Sequence, residues 1–308
     1  MKNEIKKTFK ISIGISALNE EKTIGKVLDS VLAQIEDGWI FGEILVYSDG
    51  SKDKTVIEAR KRDKKLVKVK EFRERKGKPF RCNQMLKAFK GDILIIFDAD
   101  IKIVGRNVIT NLVDKFRNGR DVMLVGGNSR VYPPKSFFDK AVQTSYYVYF
   151  KSREKLRDGN NAFACTGACL ALRKEFAKKI VIPGWVISED VFFYFSCLKM
   201  GYKFRYSPNA KVLYKAAGDL KDFMRQMFRS SPEAVNIHYK MHFGDLVTRE
   251  YFRPKLFYIK CVLEIFFKNP VGTLYMMILK ILAKPFYFFF SRNYKLSWYT
   301  ADSTKGIV

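Results

Sequence analysis

Short apolar runs and amphipathic stretches alternate along the first hundred residues. The apolar runs, which predict buried strands, lie at residues 10–18, 43–47, 66–69 and 93–97. Helical spacing of apolar positions follows the first run at Ile24, Val27, Leu28, Val31 and Leu32. Further helices are predicted at about 53–64 and at 80–90. Strands that alternate with helices predict an α/β fold with a mostly parallel sheet flanked by helices.

Polar turns follow three of these predicted strands. They contain Asn19-Glu20, Ser48-Asp49 and Asp98-Ala99-Asp100. Right-handed crossovers bring the carboxyl ends of parallel strands to one edge of the sheet, where ligands bind. We therefore expect the three turns to converge on one crevice.

The pattern is less regular after residue 121. The predicted elements are a short strand at Val122–Val125, an aromatic-rich helix at Phe137–Leu156, a helix near 189–200, and strand signals at 163–172 and 203–214. No repeat or low-complexity linker separates this half from the first. We interpret it as a continuation of the same domain.

A tail from about residue 251 is strongly apolar. Leu256–Phe267 is interrupted only by Lys260 and Glu264, and Lys268 completes a polar row along one helix face. Val271–Ala283 continues the apolar pattern around Lys280.

Two prolines divide this tail, and aromatic residues follow the second. Pro270 and Pro285 are predicted to break the run, and the aromatic cluster is Phe286–Phe290. Each uninterrupted segment is shorter than the ~20 residues that a membrane-crossing helix needs. We predict helices that lie in a membrane interface, with lysines reaching the headgroups. A true span or hairpin and a buried packing helix stay open as alternatives.

Charge and cysteine content narrow the class of protein. The 308 residues carry 57 Lys+Arg against 31 Asp+Glu, a net charge of +26, which predicts an anionic partner such as nucleic acid, anionic lipid or a phosphorylated substrate. Five scattered cysteines fit a reducing compartment, and their spacing relative to the two histidines is unsuited to zinc. The basic N-terminus leads into only a short apolar run, so we predict a cytoplasmic protein.

Two acidic turns could carry chemistry. Asp98 and Asp100 can share a divalent cation whose remaining ligands are phosphate oxygens. Asp49, followed by Gly50, can accept hydrogen bonds from a nucleobase or ribose. The structural alternatives are a polar strand end for the first pair and an ordinary turn for Asp49.

Basic and acidic residues flank two later predicted helices. Residues 73–78 place four basic side chains around Gly77 just before a helix, which suits a diphosphate, although a solvated loop is the commoner meaning. Glu189 and Asp190 precede an apolar helix and can serve as a general base or simply as helix caps. Gln226 and Arg229 can meet a leaving diphosphate, or lie on a surface helix.

The order of these segments resembles that of the family 2 glycosyltransferases. The resemblance runs from about Ile11 to Arg229 and is carried by SALNEEKTIGKVLDSV, EILVYSDGSKDKT, RKGKPFRCNQMLKAFKGDILIIFDAD, TGACLALRKEF and SEDVFFYFSCLKMGYKFRYSPNA. Five motifs in one order are more specific than any one of them. The resemblance implies a Rossmann-like sheet, the A-type nucleotide-sugar transferase fold. The C-terminal amphipathic or hydrophobic helices come from the residue pattern of the tail and lie beyond the resemblance.

The resemblance also implies roles for individual residues. Asp190 would be the catalytic base of an inverting transfer, with Glu189 positioning it. Asp100, with Asp98, would hold Mn²⁺ or Mg²⁺. The donor would be bordered by Ala17, Asn19, Glu20, Ser48, Asp49, Gly77, Lys78, Asn83, Asp98, Ala99, Gly167 and Arg229, with Ala168 beside Gly167 beneath the sugar.

Two departures from the family pattern limit the function. Ser48 stands where a paired acid is usual, which weakens one nucleobase contact or moves it to a hydroxyl. The signature of processive synthases is reduced to Gln226-Met227-Phe228-Arg229-Ser230 and lacks its tryptophan. We therefore predict transfer of one sugar per binding event.

These inferences combine into one predicted organisation and function. Residues 1–250 form a catalytic domain, with a nucleotide-binding half at about 8–120 and an acceptor half at about 121–250, and residues 251–308 form a membrane-associating tail. The predicted reaction is metal-dependent transfer from a UDP-sugar, or second GDP-mannose, to a lipid-linked or glycan acceptor at the cytoplasmic membrane face.

Three alternatives remain. A basic nucleic-acid-binding protein would explain the charge but not the carboxylates, because carboxylates repel phosphate unless a metal intervenes, so no nucleic acid is expected. A nucleotidyltransferase or phosphotransferase could use the same metal crevice. A pseudoenzyme would only bind membrane and partners.

Overall fold

An eight-stranded sheet runs through the computed structural model, which describes residues 8–229 and 232–292. Its order is β3-β2-β1-β4-β7-β6-β8-β5. The strands are β1 (Phe9–Ala17), β2 (Trp39–Asp49), β3 (Val67–Phe72), β4 (Ile93–Asp98), β5 (Ile101–Ile103), β6 (Val122–Val131), β7 (Cys169–Arg173) and β8 (Lys203–Tyr214).

The described chain also contains twelve α-helices. They are α1 (Ile24–Leu32), α2 (Thr55–Arg60), α3 (Lys78–Ala88), α4 (Val108–Arg117), α5 (Phe137–Lys155), α6 (Lys174–Ala177), α7 (Glu189–Lys199), α8 (Leu220–Arg229), α9 (Pro232–Phe243), α10 (Asp245–Glu250), α11 (Lys255–Lys268) and α12 (Pro270–Arg292). The alternation of strands and helices confirms the predicted α/β fold.

The parallel part of the sheet consists of β3, β2, β1 and β4. Ile13 of β1 pairs with Ile44 of β2 and with Ile95 of β4, and all three side chains are fully buried. Such continuous apolar strands form where both faces of a sheet are covered. β7 then joins β4 in antiparallel orientation, with Phe97 opposite Cys169. Strand pairing therefore changes from parallel to antiparallel at β4, the strand that ends at Asp98.

Strand register places the predicted polar turns at one edge. In the ladder, Ala17 of β1 lies opposite Ser48 of β2, and Ser16 lies opposite Asp98 of β4. Since the three strands run parallel, the turns after Ala17, Asp49 and Asp98 leave the sheet side by side. The predicted convergence of these turns is present in the fold.

The chain divides into two compact units. The first comprises the described residues up to Arg130 together with Cys165–Tyr214. The second comprises Val131–Ala164 together with the described residues from Lys215 onward, and its core includes Val142, Phe223 and Met276. The functional division at residue 250 stays a prediction.

The apolar tail forms two helices in the second unit. α11 ends at Lys268 and α12 begins at Pro270, as predicted, but α12 continues through Pro285 to Arg292. The prediction that Pro285 breaks the run is therefore wrong. No helix among the residues that the structure describes has both the length and the apolar character needed to cross a bilayer. Tail residues beyond 292 lie outside the described residues.

Candidate active site

The turns after β1 and β2 are locked together by side-chain hydrogen bonds. Asn19 Oδ1 accepts from the Lys52 amide at 2.8 Å, and the Asn19 amide donates to Ser51 Oγ at 3.1 Å. The Glu20 amide donates to Thr55 Oγ1 at 2.6 Å. Asn19 has a φ of 55°, a left-handed conformation that asparagine tolerates better than most residues. Asn19 and Glu20 thus lie at the predicted edge, where they fix its shape.

Asp49 holds the basic loop that precedes α3. Its Oδ1 accepts from the Lys76 amide at 2.9 Å and its Oδ2 from the Gly77 amide at 2.8 Å. Arg81 Nε lies 2.6 Å from Asp49 Oδ1, and both side chains are almost fully buried. Arg81 also donates to the Glu74 carbonyl at 2.5 Å. Asp49 therefore acts as a clamp on this loop, and a direct nucleobase contact stays a prediction.

Arg81 was not singled out from the sequence. It lies three residues after Lys78 on α3, so the two basic residues share one helix face. Two features of the sequence could have indicated Arg81 as a site residue. It is a basic residue one helical turn after Lys78, and an acidic turn is predicted at the same sheet edge. Its burial against Asp49 could not be read from the pattern.

Two residues predicted to border the donor form hydrogen bonds within the protein. Ser48 is fully buried and donates from its hydroxyl to Ser51 Oγ at 3.0 Å, and its nucleobase contact stays a prediction. The Asn83 amide group donates to the Ile182 carbonyl and accepts from the Ile182 amide, each at 2.8 Å. Asn83 therefore fixes the segment before α7. Ala17 is buried at the end of β1.

Lys78 joins two carboxylates at the centre of the site. Its Nζ lies 2.5 Å from Asp98 Oδ1 and 2.6 Å from Glu189 Oε1, and donates to the Gly167 carbonyl at 3.2 Å. Burial by itself would lower the pKa of Lys78, but the charges of Asp98 and Glu189 outweigh burial and raise that pKa well above its usual value. Lys78 is thus a fixed cation between the β4 terminus and α7.

Asp190 is held by two backbone amides at the start of α7. Its Oδ2 accepts from the Gly167 amide and its Oδ1 from the Val191 amide, both at 2.8 Å. Burial, followed by the neighbouring charge of Glu189, raises the pKa of Asp190 to about 6. A carboxylate with that pKa, fixed in orientation, suits proton transfer near neutral pH.

The end of β4 offers oxygen ligands for a divalent cation. Asp98 keeps about a third of its side chain exposed (31%), and Ala99 between the two acids is buried. Within the described residues, no group of three or more His, Cys, Asp or Glu side chains could hold a metal. Asp98 and Asp100 stay the predicted ligands of a cation that would take its other ligands from phosphate oxygens and water.

Gly167 lies against the Lys78 ion pairs. A Cβ at this position would come within 2.8 Å of Glu189 Oε1 and 2.9 Å of Lys78 Nζ. We expect Gly167→Ala to displace both groups and lower kcat at least about tenfold, since a small misplacement at a reacting centre is costly. Steady-state kinetics and a melting curve check this.

Gly184→Ala is the matched control for Gly167→Ala, because nothing lies within 4 Å of a Cβ added at Gly184. It should behave as wild type. Wild-type kcat in Gly167→Ala would show that the close packing around Gly167 is unimportant for the reaction.

Two residues predicted near the diphosphate belong to α8 in the second unit. Gln226 Oε1 accepts from the Tyr146 hydroxyl at 3.0 Å. Arg229 is the last residue of α8, and its side chain lies outside the part of the chain that the structure describes. Diphosphate contacts for Gln226 and Arg229 stay predictions.

Comparison with solved structures identifies the same fold. A mannosyltransferase from Pyrobaculum calidifontis, solved with GDP-Man and Mn²⁺, superposes with a TM-score of 0.57 at 19% identity, covering 89% of this chain and 74% of that one. Glucosyl-3-phosphoglycerate synthase from Mycobacterium tuberculosis, solved with Mn²⁺, UDP and glucosyl-3-phosphoglycerate, gives 0.53 at 18% identity, covering 77% and 80%. At these identities the likeness shows the fold.

Sequence comparison identifies relatives over part of the chain. Glucosyl-3-phosphoglycerate synthase of Petrotoga mobilis is 30% identical over 142 residues, which is 44% of this chain and 41% of that protein. The enzyme of the same name from Mycobacterium tuberculosis H37Rv is 32% identical over 139 residues, 44% and 40% respectively. The chain thus matches about two fifths of the length of these relatives.

A match to a family model covers more of the chain and shows its family. The family model described as "Glycosyl transferase family 2" matches residues 12–181, more than half of the chain. That stretch contains the β1, β2 and β4 termini, Lys78 and Gly167. The chain belongs to glycosyl transferase family 2.

Proposed function

We propose that the protein transfers a single sugar from a nucleotide-sugar donor to an acceptor hydroxyl, with inversion at the anomeric carbon. The observation that carries this proposal is the cluster at the sheet edge, in which Lys78 bridges Asp98 and Glu189 beside the fixed carboxylate of Asp190. Family membership supports the reaction class.

In the proposed reaction Asp190 accepts the proton of the acceptor hydroxyl. The hydroxyl oxygen then forms a bond to the anomeric carbon as the bond from that carbon to the diphosphate oxygen breaks. Attack opposite the leaving group inverts the configuration. Gly167 and Val191 amides keep the Asp190 carboxylate oriented, and Lys78 holds Glu189 beside it. The leaving diphosphate departs with the bonding electrons.

A divalent cation would neutralise charge that gathers on the leaving diphosphate. Asp98 and Asp100 are its proposed ligands, and Mn²⁺ or Mg²⁺ its proposed identity. Mn²⁺ is present in the solved structures of both fold relatives, which supports this proposal.

UDP-sugars are the favoured donors and GDP-mannose is the second candidate. The solved glucosyl-3-phosphoglycerate synthase contains UDP, and the solved mannosyltransferase contains GDP-Man. For the acceptor we propose a lipid-linked or glycan hydroxyl at the cytoplasmic membrane face, supported by the net charge of +26. Phosphoglycerate is the alternative acceptor, because the curated relatives are glucosyl-3-phosphoglycerate synthases.

Product analysis tests the reaction class. The full chain is incubated with Mn²⁺ and a panel of UDP- and GDP-sugars, with membrane lipid extract or 3-phosphoglycerate as acceptor. Sugar transfer predicts release of nucleoside diphosphate that depends on the acceptor. Release of pyrophosphate would instead identify a nucleotidyltransferase. Salt-dependent binding of DNA or RNA that nucleotide-sugars do not affect, without any release, would support a nucleic-acid-binding protein.

The pH profile tests Asp190 as the base. Its pKa is raised from 3.8 to about 6, and only the deprotonated form accepts a proton. We therefore expect kcat/KM to be constant above pH ~7 and to fall about tenfold per pH unit well below pH 6. Initial rates at saturating Mn²⁺ between pH 5 and 8 measure this. A profile that is flat down to pH 5 would contradict the assignment.

A further inference from the structure

Two polar side chains of helix α11 contact helix α5. Glu264 Oε2 accepts from the Tyr147 hydroxyl of α5 at 2.7 Å and lies 3.2 Å from Lys151 Nζ, also on α5. Lys268 Nζ donates to the same Tyr147 hydroxyl at 3.2 Å. On a helix at a water-exposed surface, charged residues normally face solvent. Here two of the three polar residues of the row face another helix.

The side of α11 next to this polar row is apolar and exposed. Its side chains recur at intervals of three, four and four residues, which places them on one face. They are Leu256, Ile259, Leu263 and Phe267, with 80%, 53%, 50% and 79% of their surfaces exposed. An ordinary surface helix presents mainly polar residues to solvent.

Helix α12 also has an exposed apolar side. Its inner side, which includes Thr273 and Met276, is buried within the second unit. Its outer side presents a second apolar stripe at helical spacing, formed by Val271, Leu274, Ile278, Ile281 and Leu282. We call the two stripes together the α11–α12 apolar surface. Exposed apolar surface of this extent marks an interaction site.

The positive charge of α11 and α12 favours an anionic partner. Their sequences contain six basic residues, three in each helix, and one acid, Glu264, which is paired with Lys151. Lys260 is exposed next to the α11 stripe. Two copies of this surface would bring like charges together, whereas an anionic bilayer offers both an apolar interior and opposite charge.

We propose that the α11–α12 apolar surface lies in the headgroup and acyl-chain boundary of an anionic membrane, with its lysines reaching the phosphates. The proposal deepens the membrane-face part of the proposed function. Lipid binding tests this proposal and product release tests sugar transfer, so either one can fail without the other.

Vesicle flotation of the full chain tests the proposal. We expect the protein to float with vesicles of phosphatidylcholine and phosphatidylglycerol, and much less with phosphatidylcholine alone. The double variant Leu263→Gln/Phe267→Gln should bind anionic vesicles at least roughly tenfold more weakly, because it removes two inserting side chains. The charge variant Lys255→Gln/Lys260→Gln should weaken binding to anionic vesicles only.

Ile57→Gln/Val181→Gln is the matched control, since both residues are exposed apolar positions in the first unit (56% and 67%). This control should float as wild type. Unchanged circular dichroism and melting temperature would show that all variants are folded. Equal flotation of the Leu263/Phe267 variant and wild type, or no flotation of wild type, would overturn the proposal. So would a wild-type dimer that this variant converts to monomer, because a second copy would then cover the surface.

Discussion

Replacing Asp190 with asparagine is expected to lower kcat about 10²–10⁴-fold, while donor affinity stays close to that of wild type. The amide keeps the size of the carboxylate but cannot accept the acceptor's proton. Asp190 has a fixed orientation from the Gly167 and Val191 amides and a pKa raised to about 6, both of which suit a general base. Steady-state rates and nucleotide binding, measured by calorimetry, separate the two effects.

The control for Asp190→Asn is Glu175→Gln, which removes an exposed acid from the first turn of α6. It should leave kcat unchanged. If Asp190→Asn retained kcat within about threefold of wild type, another group would have to accept the proton.

Replacing Lys78 with methionine is expected to cost both stability and activity. Methionine has a similar length but no charge, so the buried carboxylate of Glu189 would lose its cation. Breaking a buried pair by removing one partner costs about 3–5 kcal/mol. Activity should fall as well, since Lys78 fixes Asp98 and Glu189 relative to each other. Denaturant unfolding and kcat/KM measure the two losses.

A second substitution separates charge from packing at Lys78. Glu189→Gln in the Lys78→Met background should recover part of the lost stability, because it removes the uncompensated charge. Lys87→Met, an exposed lysine on the same helix, should change stability by no more than about 0.5 kcal/mol. Equal stability of Lys78→Met and wild type would mean that the ion pairs contribute nothing to folding.

The fold was predictable because its strands are strongly marked in the sequence. The run at 93–97 is wholly apolar and ends at Asp98, so both the strand β4 and the position of its acidic turn follow from pattern alone. The same reasoning placed the turns after β1 and β2 at the same edge. Helices α5 and α7 were likewise found within one or two residues of their predicted bounds.

The partners of the site residues were not predictable. Lys78 was predicted to border the donor, but its ion pairs with two carboxylates, one of them on α7 far along the chain, were not predicted. Asn83 was expected near the donor but bonds to the backbone of Ile182. Pattern analysis predicts which edge a residue approaches, whereas these contacts depend on how distant segments pack.

The ends of two helices differ from their predicted positions. The helix predicted to reach Lys64 ends at Arg60, because Asp63 Oδ1 accepts from the Lys65 amide at 2.8 Å and forms a turn into β3. Conversely, α12 continues through Pro285, where a break was predicted. A proline removes one helical hydrogen bond, which a long helix can accommodate without ending.

Metal-dependent release of nucleoside diphosphate tests most directly whether the site at this sheet edge catalyses glycosyl transfer. The full chain is assayed with each donor in Mn²⁺ or in EDTA, with membrane lipid extract or 3-phosphoglycerate as acceptor, beside Asp100→Ala and Asp190→Ala. Glycosyl transfer at this site predicts release from one donor class that EDTA and both substitutions abolish. Release that persists in EDTA, or equally in both variants, would contradict it.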